Sequence, residues 1–351
     1  MKSLSYYLDP QHYTSVVYQL CFVSVTFVLL GIFLYKPFVE FHPVGPRPGV
    51  TPVTQETLTA WGKQPAQVAM GLHITDVLRF DIVKNDFIIN ALIWFAFDEG
   101  KVPLKTIDAF SFTKGDIIKK SDAQISTVQG KTVALYSVRV QFTTIIDYIR
   151  FPLDDHTLFL NVTNTAASAK DLIYTIEPAN FKVSPNMYMS GWQLVGHAVT
   201  SGYSSVEVSN NQTLTQPKVV FSLDISKQDI RQLALILFPL IFMFYLGILA
   251  FSIRDMAVNI TLPIASISSL LAYFFVVQAL APAVGYFMLS DYFFLFFLIS
   301  SFLTFFVEAL GALPDRVLSK LTLERIEGMT ILVLHVALVA VMYYLTNIKG
   351  L

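Results

Sequence analysis

Five apolar stretches of membrane-spanning length constrain this chain more than any other feature of its sequence. The first runs from about Val16 to Tyr35, and the other four follow a long polar interval, over Leu233–Ile253, Ala257–Leu280, Tyr292–Leu310 and Met329–Leu345. A helix of about 20 apolar residues crosses the hydrocarbon core of a bilayer. The sequence therefore predicts an integral membrane protein with one large polar domain between its first and second spans.

The composition narrows the class of protein further. Only 14% of the residues are charged, against about 25% in an ordinary soluble domain. The 24 basic and 25 acidic residues leave a net charge of −1. These values exclude an intrinsically disordered chain and a nucleic-acid binder that neutralises phosphates. Cys21 is the only cysteine, which excludes a disulfide scaffold.

The short loops between the spans predict the orientation of the chain. The first stretch is longer than the core of a signal peptide, and no small-residue cleavage site follows it before Lys36, so we interpret it as an uncleaved anchor. Arg254 follows the second span, and Arg316, Lys320 and Arg325 follow the fourth. The positive-inside rule places both loops in the cytoplasm. We therefore expect a multi-pass protein of the cell (plasma or inner) membrane, with a cytoplasmic N-terminus and an extracellular or periplasmic polar domain.

The polar interval has the pattern of an all-β domain. Apolar residues alternate with mostly polar ones over 138–143, 158–162 and 219–226, as in strands with one buried face. Phe87–Phe97 is apolar on both faces, which is typical of a central strand covered on both sides. The predicted fold class is membrane α+β: an antiparallel β-sandwich followed by a four-helix transmembrane bundle, plus one N-terminal transmembrane helix. The expected domains are an anchor segment (1–37), a proline-rich linker (38–65), the sandwich (66–228) and the bundle (229–351).

The sequence carries no recognisable constellation for catalysis, cofactor binding or metal binding. Nucleotide-binding, hydrolase and metalloprotease motifs are absent, and the six histidines are scattered. The densest ionisable cluster, Asp154–His156, is interpreted as a polar loop, a metal site or a catalytic site. His335 lies inside the last span. It is interpreted either as a functional group or as a histidine that is hydrogen-bonded to a neighbouring helix. Asp291 and Glu308 lie at span ends, where we expect their carboxylates to reach water.

The third apolar stretch carries a stripe of small and hydroxyl-bearing side chains. Thr261, Ala265, Ser268, Ala272 and Ala279 recur at helical spacing, with Phe275 and Val276 filling the remaining turn. Two interpretations stay open from the spacing alone. Small residues let helices pack closely in lipid, and they also line water-filled pores when several copies surround an axis.

The order of these parts resembles the pentameric ligand-gated ion channels, or Cys-loop receptors, in their bacterial form. The resemblance covers roughly residues 66–347. Its most specific piece is Gly130–Tyr136 followed by Phe151–Leu160, similar to the strand pair that leads into the family's F-P-F-D loop, with Leu153 replacing the second phenylalanine. Further matches, in order, are Val68–Asp98, Ile230-Arg231 with Pro239, Asn259–Leu262, Ala281-Pro282, Tyr286 and Asp291-Tyr292.

The resemblance implies a ligand-gated, or pH- or ion-modulated, channel that conducts passively and is not an enzyme. Five identical subunits in a lipid bilayer would surround one axis and bind inorganic ions and an unknown small-molecule or ionic ligand, with no cofactor and no nucleic acid. The implied pore-lining positions are Asn259, Thr261, Ala265, Ser268, Ala272, Phe275, Val276 and Ala279. Arg254 and Asp255 are selectivity candidates, and Asp255 with the hydroxyl-bearing rings favours cations.

The resemblance also implies a ligand site and a coupling path. Trp94 and Tyr203 match aromatic walls of the family's agonist site between adjacent domains; ordinary core packing is the alternative. The coupling candidates are Lys84, Asp86, Pro152, Asp154, Arg231 and Pro282. Because an ion pair between Asp154 and Arg231 would bias two arrangements, we expect Asp154→Ala to uncouple gating without abolishing assembly.

Three departures from the family pattern leave a rival interpretation open. The disulfide of eukaryotic members is absent, as in bacterial members, and an N-terminal helix is added. Ser268 stands where the family places a bulky apolar residue, so a hydrophobic gate would move outward to Phe275 and Val276. The added helix is either an anchor only or a helix that packs on the bundle and modulates it. The rival is a non-conducting membrane sensor or assembly protein that retains the fold. A membrane-anchored hydrolase or carrier is opposed by the absence of a catalytic constellation and of intramembrane charges beyond His335.

Overall fold

The computed structural model describes residues 9–41, 47–81, 84–144, 146–153, 155–209, 212–227, 230–253, 255–281, 283–311, 313–314 and 318–347. The helices, numbered α1 to α7 in chain order, are Val16–Val39, Gln55–Trp61, Leu104–Asp108, Ile230–Leu249, Met256–Leu280, Leu289–Leu310 and Lys320–Asn347. The strands, numbered β1 to β11, are Ala66–Asp81, Asp86–Phe97, Phe110–Thr113, Gly115–Lys120, Gln124–Val128, Lys131–Thr143, Asp155–Asn164, Leu172–Thr175, Phe181–Val183, Gln193–Ser209 and Gln212–Ser226. The fold class predicted from the sequence is therefore confirmed: a β-sandwich precedes four membrane-spanning helices, and an apolar helix stands at the N-terminus.

The chain divides into two units, each described by itself. The helical unit comprises Met1–His42, Tyr148–Asp154 and Asp229–Leu351, and the sandwich unit comprises Pro43–Asp147 and Asp155–Gln228. The short segment Tyr148–Asp154 was expected inside the sandwich, but it belongs to the helical unit. Likewise, residues from Pro43 onward were expected in the linker and belong to the sandwich unit.

The sandwich is built on one path of hydrogen-bonded strands in the order β10-β11-β7-β3-β4-β6-β2-β1-β8, with β5 added to β6 and β9 to β1. Its core follows from strand alternation, since Val219, Phe221, Leu223 and Ile225 are all at most 1% exposed. On β2 the odd-numbered residues from Phe87 to Phe97 are buried, whereas the others are half-buried except Asp86. The expectation that β2 is covered on both faces is thus wrong for the single chain, because only one face lies in the core.

The second half of the expected linker is ordered structure. Helix α2 begins after Thr54, whose hydroxyl accepts from the amide of Thr57, and ends at Gly62 with φ +69°. Two backbone hydrogen bonds of 2.9 Å join Thr51 to Tyr203 on β10, and the rings of Trp61 and Tyr203 lie 5.2 Å apart. These contacts tie the segment to the sandwich.

Five described helices are long and apolar enough to cross a membrane, as the sequence predicted. The last span begins at Lys320, before the apolar stretch that starts at Met329, because the helix continues through its polar first turns. Helix α1 packs against α7, α4 contacts α5 and α6, and α5 contacts α6. The N-terminal helix is therefore packed on the bundle, and its modulation of the bundle stays a prediction.

Candidate functional site

Helix α5 presents two faces of different character. Pro263, Ser266, Leu270 and Val277 are its buried residues. At about 100° per residue they share one side of the helix. The hydroxyl of Ser266 donates to the carbonyl of Met243 on α4 at 2.8 Å and shares a 3.1 Å hydrogen bond with the hydroxyl of Ser301 on α6. One small polar side chain thus joins three membrane-spanning helices on the packed face.

The stripe predicted from the sequence lies on the opposite side of α5. Ala265 is half-buried, and the other positions are exposed: Thr261, Ser268, Ala272, Phe275, Val276 and Ala279. With about 100° between successive residues, all but Val276 fall within about 40° of one direction, and Val276 lies at the edge. None of the helices in the described part of the chain covers this face.

Asn259 is placed differently from the other seven candidate pore positions. It lies on the packed side of α5, half-buried, with its side chain within hydrogen-bonding reach of Glu308 on α6. Glu308 is only 4% exposed. The expectation that Glu308 reaches water at a span end is therefore wrong, because the carboxyl is enclosed between helices.

The structure gives Asp255 a local structural role. It is the N-cap of α5, and its carboxylate accepts a 2.9 Å hydrogen bond from the amide of Ala257. The side chain is exposed, so its charge remains open to solvent. The second selectivity candidate, Arg254, lies outside the described residues.

We expect Asp255→Asn to lower cation preference without disturbing the helix, because asparagine caps a helix as well as aspartate but carries no charge. Reversal potentials measured across a salt gradient should move toward zero by about half. Asp255→Glu, which keeps the charge, is the control. A reversal potential that Asp255→Asn leaves unchanged removes Asp255 from the selectivity filter.

The segment Tyr148–Leu153, called the docking loop below, caps two membrane-spanning helices. The amides of Leu289 and Ser290 donate to the carbonyls of Ile149 and Phe151 at 2.8 and 3.0 Å. The guanidinium of Arg150 donates to the carbonyl of Thr346 at 3.4 Å. The first amides and last carbonyls of a helix have no partners within it. The loop therefore supplies partners to the start of α6 and the end of α7.

Several side chains of the docking loop are themselves buried. Tyr148 and Phe151 are 3% and 2% exposed, and the amide of Tyr148 donates a 3.0 Å hydrogen bond to the hydroxyl oxygen of Tyr286. Pro152, one of the coupling candidates, follows through a cis peptide bond and is buried. Pro152 belongs to the helical unit, and its role in coupling stays a prediction.

The remaining coupling candidates are not brought together in the described part of the chain. Asp154 and Pro282 lie outside the described residues, and the side chain of Arg231 is not described. In the sandwich unit, Asp86 pairs with Arg79 and accepts from Gln141 at 3.1 Å. Lys84 is exposed and lies 3.7 Å from the carboxylate of Asp81. The roles of all five in coupling stay predictions.

The two aromatic ligand-site candidates lie on different strands of the sandwich. Trp94 is half-buried on the outer face of β2, where a side chain on Gly71 would meet its indole ring at 2.5 Å. Tyr203 is half-buried on β10, the terminal strand of the path. The two strands are far apart in the strand order, and the role of both rings in a ligand site stays a prediction.

His156 is enclosed in the sandwich, so the polar-loop interpretation of Asp154–His156 is wrong at this residue. It is 3% exposed at the start of β7, and its ring lies 5.2 Å from that of Trp192. Burial, with a smaller contribution from Lys227, lowers the pKa of His156 to about 4. No metal-binding group of three or more His, Cys, Asp or Glu residues occurs among the described residues.

We expect acid to destabilise the sandwich through His156. The unfolded chain takes up a proton near pH 6.5 and the folded chain only near its lowered pKa of about 4. Stability is therefore present at neutral pH and is lost as the pH falls between these values, by about 2 kcal/mol at pH 5. Thermal unfolding between pH 7 and 5 measures it, and His156→Phe should flatten the slope. An unchanged slope in that variant contradicts the assignment.

Comparison of the sequence with known proteins identifies a relative of known function. No protein-family model matches the chain. The chain is similar to an ion channel. A proton-gated ion channel from Gloeobacter violaceus is 21% identical to it over 289 residues, which cover 75% of each sequence.

Sequence reasoning missed several groups that organise the helical unit. Asp291 was expected at a water-exposed span end, but it is 9% exposed and accepts hydrogen bonds from the amide of Met288 at 2.8 Å and from Gln278 at 3.1 Å. His335 is bonded through Nδ1 to the carbonyl of Ile331, on its own helix rather than on a neighbour. Arg150 carried no signal in sequence beyond its place before Phe151.

Proposed function

We propose that this chain is one subunit of a homopentameric ion channel that opens in response to a small ligand, an ion or protons and prefers cations. The observation that carries the proposal is the division of α5 into a packed face and an opposite exposed face of small and hydroxyl-bearing residues. Five such faces around one axis would make the wettable wall that a pore requires. No charged residue is needed at the middle of such a pore.

The similarity to a proton-gated channel supports the proposal from an independent direction. It adds a first stimulus for testing, since the relative is named for its response to protons. The proposal places the chain in the cell membrane with the sandwich outside and the N-terminus in the cytoplasm, as the basic residues of the loops predict. Membership in the pentameric ligand-gated ion channels, which the sequence motifs indicate, is part of the proposal.

The docking loop offers a coupling device. It is continuous with β6 and β7 of the sandwich through residues 144–147 and Asp154, and it caps α6 and α7 by hydrogen bonds. A ligand that favours one arrangement of the sandwich strands would bias the loop, and the loop would bias the helices it caps. An ion pair between Asp154 and Arg231 would reinforce this path, with Trp94 and Tyr203 as walls of the ligand site.

The first experiment is native mass spectrometry of the detergent-purified chain, where a fivefold mass supports the proposal. A stable monomer or dimer in several mild detergents removes the axis that a pore needs. It would favour the alternative function, a non-conducting sensor or assembly protein. The close packing of α1 on the bundle is the feature that this alternative would use.

Thiol modification then tests the pore wall in bilayers. In a Cys21→Ala background, Ala272→Cys should let a charged thiol reagent block the current evoked by a pH step. Ser266→Cys, on the packed face, and Ile299→Cys, on the exposed face of α6, are the matched controls. Block at Ile299 but not at Ala272 contradicts the assigned face.

A further inference from the structure

An open cavity lies between the N-terminal helix α1 and the last helix of the bundle, α7. Near one end of it, the segment that precedes α1 touches α7 closely, since a Cβ on Gly328 would lie 1.8 Å from the carbonyl oxygen of Pro10. The cavity farther along the two helices has a volume of about 500 Å³. Residues from both helices line it, among them Phe22, Thr26, Phe33, His335, Ala340 and Tyr343. Its volume falls in the range of small-molecule sites.

One lining residue brings an unused hydrogen-bond acceptor. Nδ1 of His335 lies 2.8 Å from the carbonyl oxygen of Ile331. A carbonyl oxygen only accepts, so Nδ1 carries the hydrogen, and Nε2 of the neutral ring is left with a lone pair. His335 is 3% exposed, and within the described residues its Nε2 atom is buried with no hydrogen-bond partner. A buried acceptor in an apolar setting is costly until a donor reaches it, and a small shift of the lining side chains opens Nε2 to the cavity when a donor binds.

The surroundings of the imidazole are aromatic. Its ring centroid lies 5.4 Å from that of Phe22, 5.6 Å from Tyr245 and 6.2 Å from Phe244. Thr26 is the other buried polar residue of the lining, at 3% exposure. The remaining lining is almost wholly apolar. The cavity therefore suits a molecule with one small polar group and an apolar body.

We propose that this cavity binds a membrane-dissolved apolar molecule that carries a hydroxyl group, which donates to Nε2 of His335. The apolar body of the molecule lies between α1 and α7. Medium-chain alcohols represent this chemical class. The inference concerns binding and does not depend on whether the protein conducts ions.

Photolabelling of the full chain in lipid nanodiscs tests the site. The probes are a diazirine derivative of 1-decanol and the matching derivative of decane, which lacks the hydroxyl. In the wild type, the alcohol probe should label residues 22–33 and 332–343 about five times more than the alkane probe, as one hydrogen bond predicts. Excess decanol, but not decane, should compete with the label.

Two variants separate the hydroxyl contact from the cavity itself. His335→Phe keeps the ring and removes the acceptor, so the alcohol and alkane probes should label equally. Ala340→Phe fills the cavity and should reduce labelling by both, whereas Ile299→Phe on the exposed face of α6 should change neither. Equal labelling by both probes in the wild type overturns the proposal. That comparison stands even where a variant fails to fold.

Discussion

Replacement of Ser268 by tryptophan is expected to reduce ion conduction to less than about a tenth of the wild-type value. Ser268 lies at the middle of the exposed face of α5, opposite Ser266 and Leu270. In the proposed pentamer the substitution places five indole rings at one level of the proposed pore. Because the side chain contacts none of the packed face, assembly should be unchanged.

Single-channel recording measures the loss of conduction, and native mass spectrometry of the same preparation measures whether assembly is unchanged. Ile299→Trp is the matched control, since Ile299 is 66% exposed on α6 and faces away from the proposed pore. A Ser268→Trp channel of normal conductance would place the pore elsewhere. A variant that no longer assembles would instead show that Ser268 lies in a contact between subunits.

Gly328→Val is expected to detach the segment that precedes α1 from the bundle. Any Cβ at this position meets the backbone of Pro10, at 1.8 Å from the oxygen and 2.6 Å from the carbon. Backbone cannot rotate away as a side chain can, so the segment must move as a whole. The move also breaks the contact of Asp9 with Arg325 at 3.6 Å and the hydrogen bond from Ser252 to the carbonyl of Thr14 at 2.7 Å.

We expect a loss of about 3 kcal/mol from this overpacking, seen as a lower melting temperature and faster hydrogen exchange over residues 10–15. Gly31→Val is the matched control, because a Cβ at Gly31 meets no atom within 4 Å. It should melt at or above the wild-type temperature, since glycine is a poor helix residue. Equal effects of the two substitutions would contradict the close contact.

The architecture was predictable because it depends on long, repeated patterns. Apolar length located the five spans, and alternation located strands such as β11, where burial of Val219, Phe221, Leu223 and Ile225 follows the pattern. The exposed face of α5 was found for the same reason, since it repeats over about five turns. The last helix begins earlier than hydropathy indicated because backbone hydrogen bonds continue through polar residues such as Glu324.

Single polar residues were harder to predict, because their environment is set by distant parts of the chain. Glu308 and Asp291 are close to span ends in sequence, but neighbouring helices bury both. Asn259 is only two residues from Thr261, yet the helical turn carries it to the packed side. The bonds of the docking loop join residues more than a hundred positions apart, such as Ile149 and Leu289, and no local pattern encodes them.

Because the docking loop belongs to the helical unit, it limits how the protein can be divided into fragments or recombined with related proteins. The loop interrupts the sandwich in sequence but belongs to the helical unit, so no single cut releases a complete sandwich. A fragment of residues 47–227 would expose Tyr148, Phe151 and Pro152 to water, so we expect it to aggregate and we expect polar replacements in the docking loop to reduce the aggregation. Exchange of sandwiches between related genes would likewise succeed only if the docking loop is kept with the helices rather than with the strands that flank it.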